Sequence, residues 1–421
     1  MTRRVLAVVA ATAALAIACS TSDPAAPRAQ QPKAITYADT IAPLLADRCV
    51  NCHRDGGIAP FSLETYEDVV AHAELAREKV VARDMPPWGA FDDDDCVHEH
   101  AFKDDLRLKP EEIQTFADWV DLGAPRGDAS KPPPAHIYAA NDLSDKTNTF
   151  QIVKPYQVDA GGGDDFRCFS IDPGFTEDTW IGGANVVPGD PRVVHHVLVF
   201  VDPKGESTAK AAATGNYPCF GGPDTSDPSL LVAWAPGVPP YHYGDDAGIK
   251  VPKGAKLVMQ IHYHPHPEIT AQDTTSFELK VLPGGIPSFV TQILLIGNAD
   301  SAKGLIHLVP PSTNQFLIPA NTSGHVESME VTIPAQVQGG TIPPLSVLAV
   351  GSHMHWAGVN MRTEVFRKNP TDGQPPHECL LGTPKYNFNW QRAYQYDEPY
   401  EKLPVVTPGD TLRFTCTYDN T

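Results

Sequence analysis

Proline and glycine punctuate this chain too densely for a helical protein. Its 421 residues include 41 prolines and 32 glycines. From about residue 140 they separate short apolar or alternating runs at 193–201, 256–264, 277–282, 326–333 and 345–351. Proline lacks the amide hydrogen a helix interior needs, and glycine destabilises a helix by about 1 kcal/mol relative to alanine. Short strands joined by turns tolerate both. The pattern predicts an all-β region of sandwich type over the C-terminal two-thirds. The length favours two or three domains. A formal net charge of -19 argues against a nucleic-acid partner, because phosphate backbones require a basic surface.

The N-terminus reads differently. Arg3 and Arg4 precede an apolar run over 5–17, and Cys19 closes Leu-Ala-Ile-Ala-Cys. The run is too short for a permanent membrane helix and reads as an export signal over 1–19. Its ending resembles a bacterial lipobox, in which Cys19 carries lipid after cleavage. The alternative is an ordinary signal with an incidental cysteine. Residues 20–34 are polar and read as a tether. The expected location is periplasmic or cell-surface, anchored to a membrane by lipid, where disulfides and haem attachment are both permitted.

Cys49-Val50-Asn51-Cys52-His53 is the C-x-x-C-H pattern of covalent haem c attachment. Two thiols one helical turn apart add to the two vinyl groups, and the next residue supplies an axial imidazole. Half of a zinc site is the alternative, but no second C-x-x-C is present. Ile41, Leu44 and Leu45 predict a short helix into Cys49, Thr65 a helix start with a stripe from Val69 to Val80, and Pro110 a helix closed by Gly123. Together these predict a small all-α, cytochrome c-like domain over 35–131. Met85, before Pro86-Pro87, is the chosen second axial ligand, with His72, His98 and His100 competing. Pro132-Pro133-Pro134 begins a linker over 132–140.

Three histidine clusters fall on apolar runs of the β region: His195-His196, His262 with His264, and His353-Met354-His355. Residues two apart on a strand share a face, so His353 and His355 can hold one metal ion. Adjacent His195 and His196 can do so only where the strand bulges or ends. Imidazole-rich sites with few carboxylates suit copper or zinc.

These stretches resemble the copper type II, ascorbate-dependent monooxygenases, the peptidylglycine alpha-hydroxylating and dopamine beta-monooxygenase group. The matching residues are 194–200 around His195-His196, Trp234-Ala235-Pro236, 258–263 around His262, 353–358 around His353 and His355, and Pro408-Gly409-Asp410 before Phe414-Thr415-Cys416. The resemblance implies two β-sandwich (jelly-roll) domains, here 141–286 and 287–421. It also implies two coppers. His195, His196 and His262 would hold the electron-transfer copper, with Gln260 nearby. His353 and His355 plus a methionine would hold the oxygen-binding copper. The implied reaction hydroxylates a C–H bond with O2, using an organic substrate and a reductant that is ascorbate-like or a redox protein. The family's methionine follows the segment matching Cys416, and no methionine follows Met361 here. Either the sequence is part of a longer chain or the second copper site is incomplete.

With Cys19, Cys49 and Cys52 assigned, Cys96, Cys168, Cys219, Cys379 and Cys416 remain, an odd number. Cys168 with Cys219 and Cys379 with Cys416 are the candidate disulfides. The leading expectation is a fused oxygenase whose haem feeds the first copper. The second is an electron-transfer lipoprotein whose copper module is degenerate. A zinc hydrolase lacks an H-E-x-x-H motif.

Overall fold

The computed structural model describes residues 34–134, 142–297 and 316–421, except 56, 58, 338, 372 and 389. Cys19, almost all of the tether and most of the 132–140 linker lie outside the described residues. The chain is mostly β, with several antiparallel sheets following a small helical region. No helix among the described residues is long and apolar enough to cross a membrane.

The helical region holds α1 (Ala42–Arg48), α2 (Tyr66–Ala71), α3 (Ala73–Val81) and α4 (Pro110–Asp121). Thr65 and Asp68 form a reciprocal cap at the start of α2. The apolar stripe predicted from Val69 to Val80 is divided, because the backbone leaves helical geometry at His72. Ile41, Leu45, Val69, Phe116, Trp119 and Val120 are buried together as the core of this region. Gly123 adopts φ +80° just past α4, a conformation that favours glycine.

The next region stacks two sheets over one core. One runs Asn148–Gln151, Ser276–Val281, Thr179–Val187, Ala247–Val251 and Phe289–Val290 in spatial order, with Tyr241–His242 added to the third. The other has five strands: β1 (Asp165–Ile171), β2 (Val194–Asp202), β3 (Asn216–Pro218), β4 (Ser229–Trp234) and β5 (Lys256–Tyr263). Their spatial order is β3-β1-β5-β2-β4. Alternation along β2 and β5 turns Val197, Val199, Leu257, Met259 and Ile261 into the core shared with Ile181, Phe277 and Leu279 of the first sheet. The opposite face is covered by the Cys168–Cys219 disulfide and by Tyr217 and Ala211.

The C-terminal region is less regular than a second sandwich. Its main sheet has four strands, β6 (Ser323–Thr332), β8 (Gly358–Phe366), β9 (His377–Thr383) and β11 (Thr411–Asp419), in the order β6-β11-β8-β9. Smaller two-stranded ribbons accompany it, among them β7 (Ala349–Gly351) with β10 (Ala393–Gln395). Part of its core comes from the far end of the sequence. Trp88, Ala90 and Phe102 are buried with Leu381, Tyr394, Tyr396 and Leu403. Lys103 donates its backbone N–H to Gln395 and Asp397 to Ala101.

The expected Cys379–Cys416 disulfide does not form. Cys379 bonds Cys96 across a sequence separation of 283, with Cα atoms 5.5 Å apart, and Cys416 is free. Strand β8 lies between the strands bearing Cys379 and Cys416. Two strand spacings are about 10 Å, beyond the roughly 7 Å a disulfide spans.

Candidate metal centre

The geometry that gathers the first histidines is a bulge. On β5 and β2, His262 opposes His196 and the next residue, Tyr263, opposes Val194. His195 is the extra residue. A bulged residue escapes strict alternation, so two adjacent imidazoles can turn toward one point. His262, two residues beyond buried Gln260, shares that face.

The three Nδ1 atoms converge. His195 to His196 is 3.2 Å, His195 to His262 3.1 Å and His262 to His196 3.3 Å. An ion at the centre of a triangle of this size sits about 1.9 Å from each nitrogen, against about 2.0 Å for a metal–imidazole bond. Among the described residues these three form the group of His, Cys, Asp or Glu ligands arranged to hold a metal. Phe166 stacks on His262 with centroids 4.1 Å apart, and Phe388 stacks on His195 at 5.0 Å. Burial pushes His195 down to about 4, helped by the nearby His262 and His264. His196 is pushed well below the usual imidazole value by burial and by His262. Burial also lowers His262, against the pull of Asp164. Neutral imidazoles with lone pairs facing one another are what a metal ion needs.

Asp164 was not singled out from the sequence. Its Oδ1 is 2.6 Å from Nδ1 of His264, and Oδ2 is 3.4 Å from Nε2 of His262, a looser approach. A carboxylate behind a ligating imidazole fixes its tautomer and ring orientation. His264 is exposed beside Asp164, and His266 accepts the N–H of Glu268. The Gln260 amide donates to Gly222 O at 3.0 Å and approaches Sγ of Cys219 at 3.4 Å, beside the disulfide.

His353 and His355 are near each other for a different reason from the one expected. Residues 352–355 lie in a loop after β7 and not on a strand, so alternation does not align them. Their rings are nonetheless 5.4 Å apart, and the His353 ring lies 6.4 Å from that of His196. Nδ1 of His353 is hydrogen-bonded to Oε1 of Gln391, leaving Nε2 for any ligand. Met354 turns the other way, buried with Met361 and Tyr418. Phe220 and Trp356 are exposed at this rim, at 71% and 62%.

In the helical region Cys49 and Cys52 are free thiols rather than a disulfide. Their amide hydrogen bonds to Leu45 and Cys49 continue the turn of α1, keeping the side chains one turn apart. His53 Nδ1 is 3.0 Å from Phe61 O. That bond places the proton on Nδ1 and leaves the lone pair on Nε2. Burial lowers the His53 pKa, which also keeps the ring neutral. The donor set suits haem c. Met85 follows α3 and is 40% exposed. Of the competing histidines, His98 is engaged by Asp92 and by the N–H of Gly382, and His100 lies between Glu378 and Glu398. His72 stays beside this site, stacked on Phe61 at 4.0 Å, with Nδ1 on Asp68 O.

The structure therefore defines a mostly β protein with three imidazoles gathered at a strand bulge in an arrangement that could hold a metal ion. Its sequence is distantly related to a copper type II monooxygenase. It is 26% identical over 244 residues to tyramine beta-hydroxylase from Caenorhabditis briggsae, covering 56% of this chain and 36% of that protein. The match thus spans about a third of the relative's length. No protein-family model matches the chain. A solved structure of peptide-N(4)-(N-acetyl-beta-D-glucosaminyl) asparagine amidase is 11% identical, covers 65% of this chain and 97% of that one, and has a TM-score of 0.15, too low to carry an argument.

Proposed function

We propose that this chain is an exported copper-dependent monooxygenase that hydroxylates an organic substrate with O2 and receives its electrons through a covalent haem c. The observation that carries the reading is the convergence of three neutral Nδ1 atoms, from His195, His196 and His262, within 3.1–3.3 Å of one another. Copper held there and at His353 and His355 would supply one-electron chemistry with O2, and a haem on Cys49 and Cys52 a one-electron store.

The protein's own contribution is positional. Phe166 and Phe388 lie flat against two of the imidazoles and keep water from their faces. Asp164 holds His262 and His264 in place. Exposed Phe220 and Trp356 offer apolar surface to a substrate approaching the histidine groups. In this reading His53 and Met85 are the axial groups of the haem, Gln260 supports the copper site through the strand it shares with His262, and Cys19 anchors the protein to a membrane through lipid. The two disulfides suit an oxidising compartment. The reductant is ascorbate-like or a redox protein.

The test is metal content followed by turnover. Purified full-length protein should contain covalent haem and copper, and should consume O2 with ascorbate only when a hydroxylatable substrate is present. Haem with no bound copper would instead favour an electron carrier with a degenerate β region.

A further inference from the structure

Resting on the haem and copper reading above, we propose that the segment following α3 bridges the two centres electrically, delivering electrons to the three-imidazole site by way of Trp88, Gln391 and His353. The sequence alone suggested haem feeding the first copper without a route. The contacts supply one, and it passes through the C-terminal region.

The route begins beside the haem cysteines. Arg48, the residue before Cys49, donates from Nη1 to Asp105 O at 2.7 Å. The Asp105 carboxylate holds Arg107 through Nε at 3.0 Å and Nη2 at 2.6 Å. The Arg107 guanidinium lies 5.9 Å from the centre of the Trp88 ring. Trp88 is 3% exposed, and the Arg392 guanidinium approaches it at 4.5 Å, with the Tyr394 ring at 5.0 Å. The Tyr394 hydroxyl accepts the N–H of Gly89 at 3.0 Å. One residue before Arg392, Gln391 accepts the Nδ1–H of His353, and the His353 ring is 6.4 Å from His196. Every link is covalent, hydrogen-bonded or a ring contact.

Two further features separate this segment from ordinary packing. Trp88 Nε1 and Arg392 Nε are both buried without a hydrogen-bond partner. A contact needed only for cohesion would be better made by leucine or phenylalanine, which bury no orphaned N–H. The connection is also held at several points. The Cys96–Cys379 disulfide, Asp95 with Arg362, and Lys385 on Ala82 O and Asp84 tie residues 82–96 to the region carrying His353. Strand β10, just after Gln391 and Arg392, pairs with β7, which leads into His353. The transfer is one electron: ferrous haem becomes ferric as Cu(II) becomes Cu(I), with no bond or proton changing hands.

The experiment uses full-length protein loaded with haem and copper, without O2. A ruthenium photosensitiser reduces the haem, whose reoxidation is followed by absorbance while Cu(II) loss is followed by electron paramagnetic resonance. Trp88→Leu and Gln391→Leu should each slow reoxidation about tenfold, about 1.4 kcal/mol of barrier, with the haem spectrum and the copper held by His195, His196 and His262 unchanged. Lys385→Met removes a tether but no link of the route, and should leave the rate unchanged. Should Trp88→Leu fail to fold, the half-buried Gln391→Leu decides alone. Wild-type rates in the variants that fold would overturn the route while leaving the oxygenase reading intact. Absence of covalent haem or of copper from the wild-type protein would overturn that reading, and the route with it.

Discussion

The two histidine groups on the β regions face one another but are built by different means. His195, His196 and His262 project from paired central strands of a two-sheet stack, and a bulge turns the third imidazole inward. His353 and His355 hang from a loop after a three-residue strand, steadied by Gln391. The first group has its ligand atoms already at metal-binding separation. The second offers two imidazoles, one with Nδ1 already engaged. Preorganisation thus belongs to the strand-borne group, and adaptability to the loop-borne pair.

The sharpest way to break that comparison is to remove one imidazole from each. His262→Ala should abolish tight copper binding at the first site, leaving two ligands where three converge. His353→Ala should leave that copper in place. Isothermal titration with Cu(II) and a competing chelator distinguishes the two variants, and equal losses would erase the distinction drawn here.

Cys96→Ser comes next in size. Removing the link to Cys379 should destabilise the protein by about 2–4 kcal/mol, with the C-terminal region loosening first. Hydrogen exchange should show the change around β9 and β10. A variant as stable as wild type would mean that the core around Trp88 suffices by itself.

Asp164→Asn keeps the shape but removes the charge behind His262. Copper affinity should fall about 10- to 100-fold, the usual effect of losing such a partner. An unchanged affinity would show that the strands alone orient His262.

The smallest effect expected is that of pH on the metal-free protein. His195, His196, His262 and His353 are all depressed below the free imidazole value of 6.5, with burial the leading cause in each. On acidification the unfolded chain takes up protons near 6.5, while folded His195 waits until about 4. The unfolded state binds more protons across that window, so stability falls as pH drops through it. The urea midpoint should be lower at about pH 5 than at about pH 7, and bound copper should reduce the gap. A midpoint that rises on acidification would mean that these imidazoles are charged in the folded protein.

Much of the strand-borne site was legible because its information is local. The apolar runs around His195 and His262 read as strands, and the adjacency of His195 and His196 called for either a bulge or a strand end, of which the bulge is present. Asp164 escaped notice because its partner His262 lies 98 positions away and the residue stands among other acidic and glycine positions of a loop. His353 and His355 were read as strand residues because the apolar run before them looked like one continuing through them. The strand stops at Gly351. The Cys96–Cys379 bond was invisible for a related reason. Nothing near Cys96 announces that residues 88–102 leave the helices and complete a core almost 300 positions away. Pro86 and Pro87 before Trp88 rule out a helix interior there, without saying against what the segment would rest.

That shared core bears on how such a chain can be taken apart or recombined. The triple proline at 132–134 looks like a seam, yet a cut there would sever only one of the connections between the two sides. With residues 35–131 gone, Leu381, Tyr394, Tyr396 and Leu403 would lose the indole and phenyl groups that shelter them, and Cys379 would be left as a bare thiol. A β fragment prepared this way would be sticky and prone to cross-link. The helical part is accordingly no interchangeable cartridge: a graft from another protein would have to bring its own equivalent of Trp88, Cys96 and Phe102.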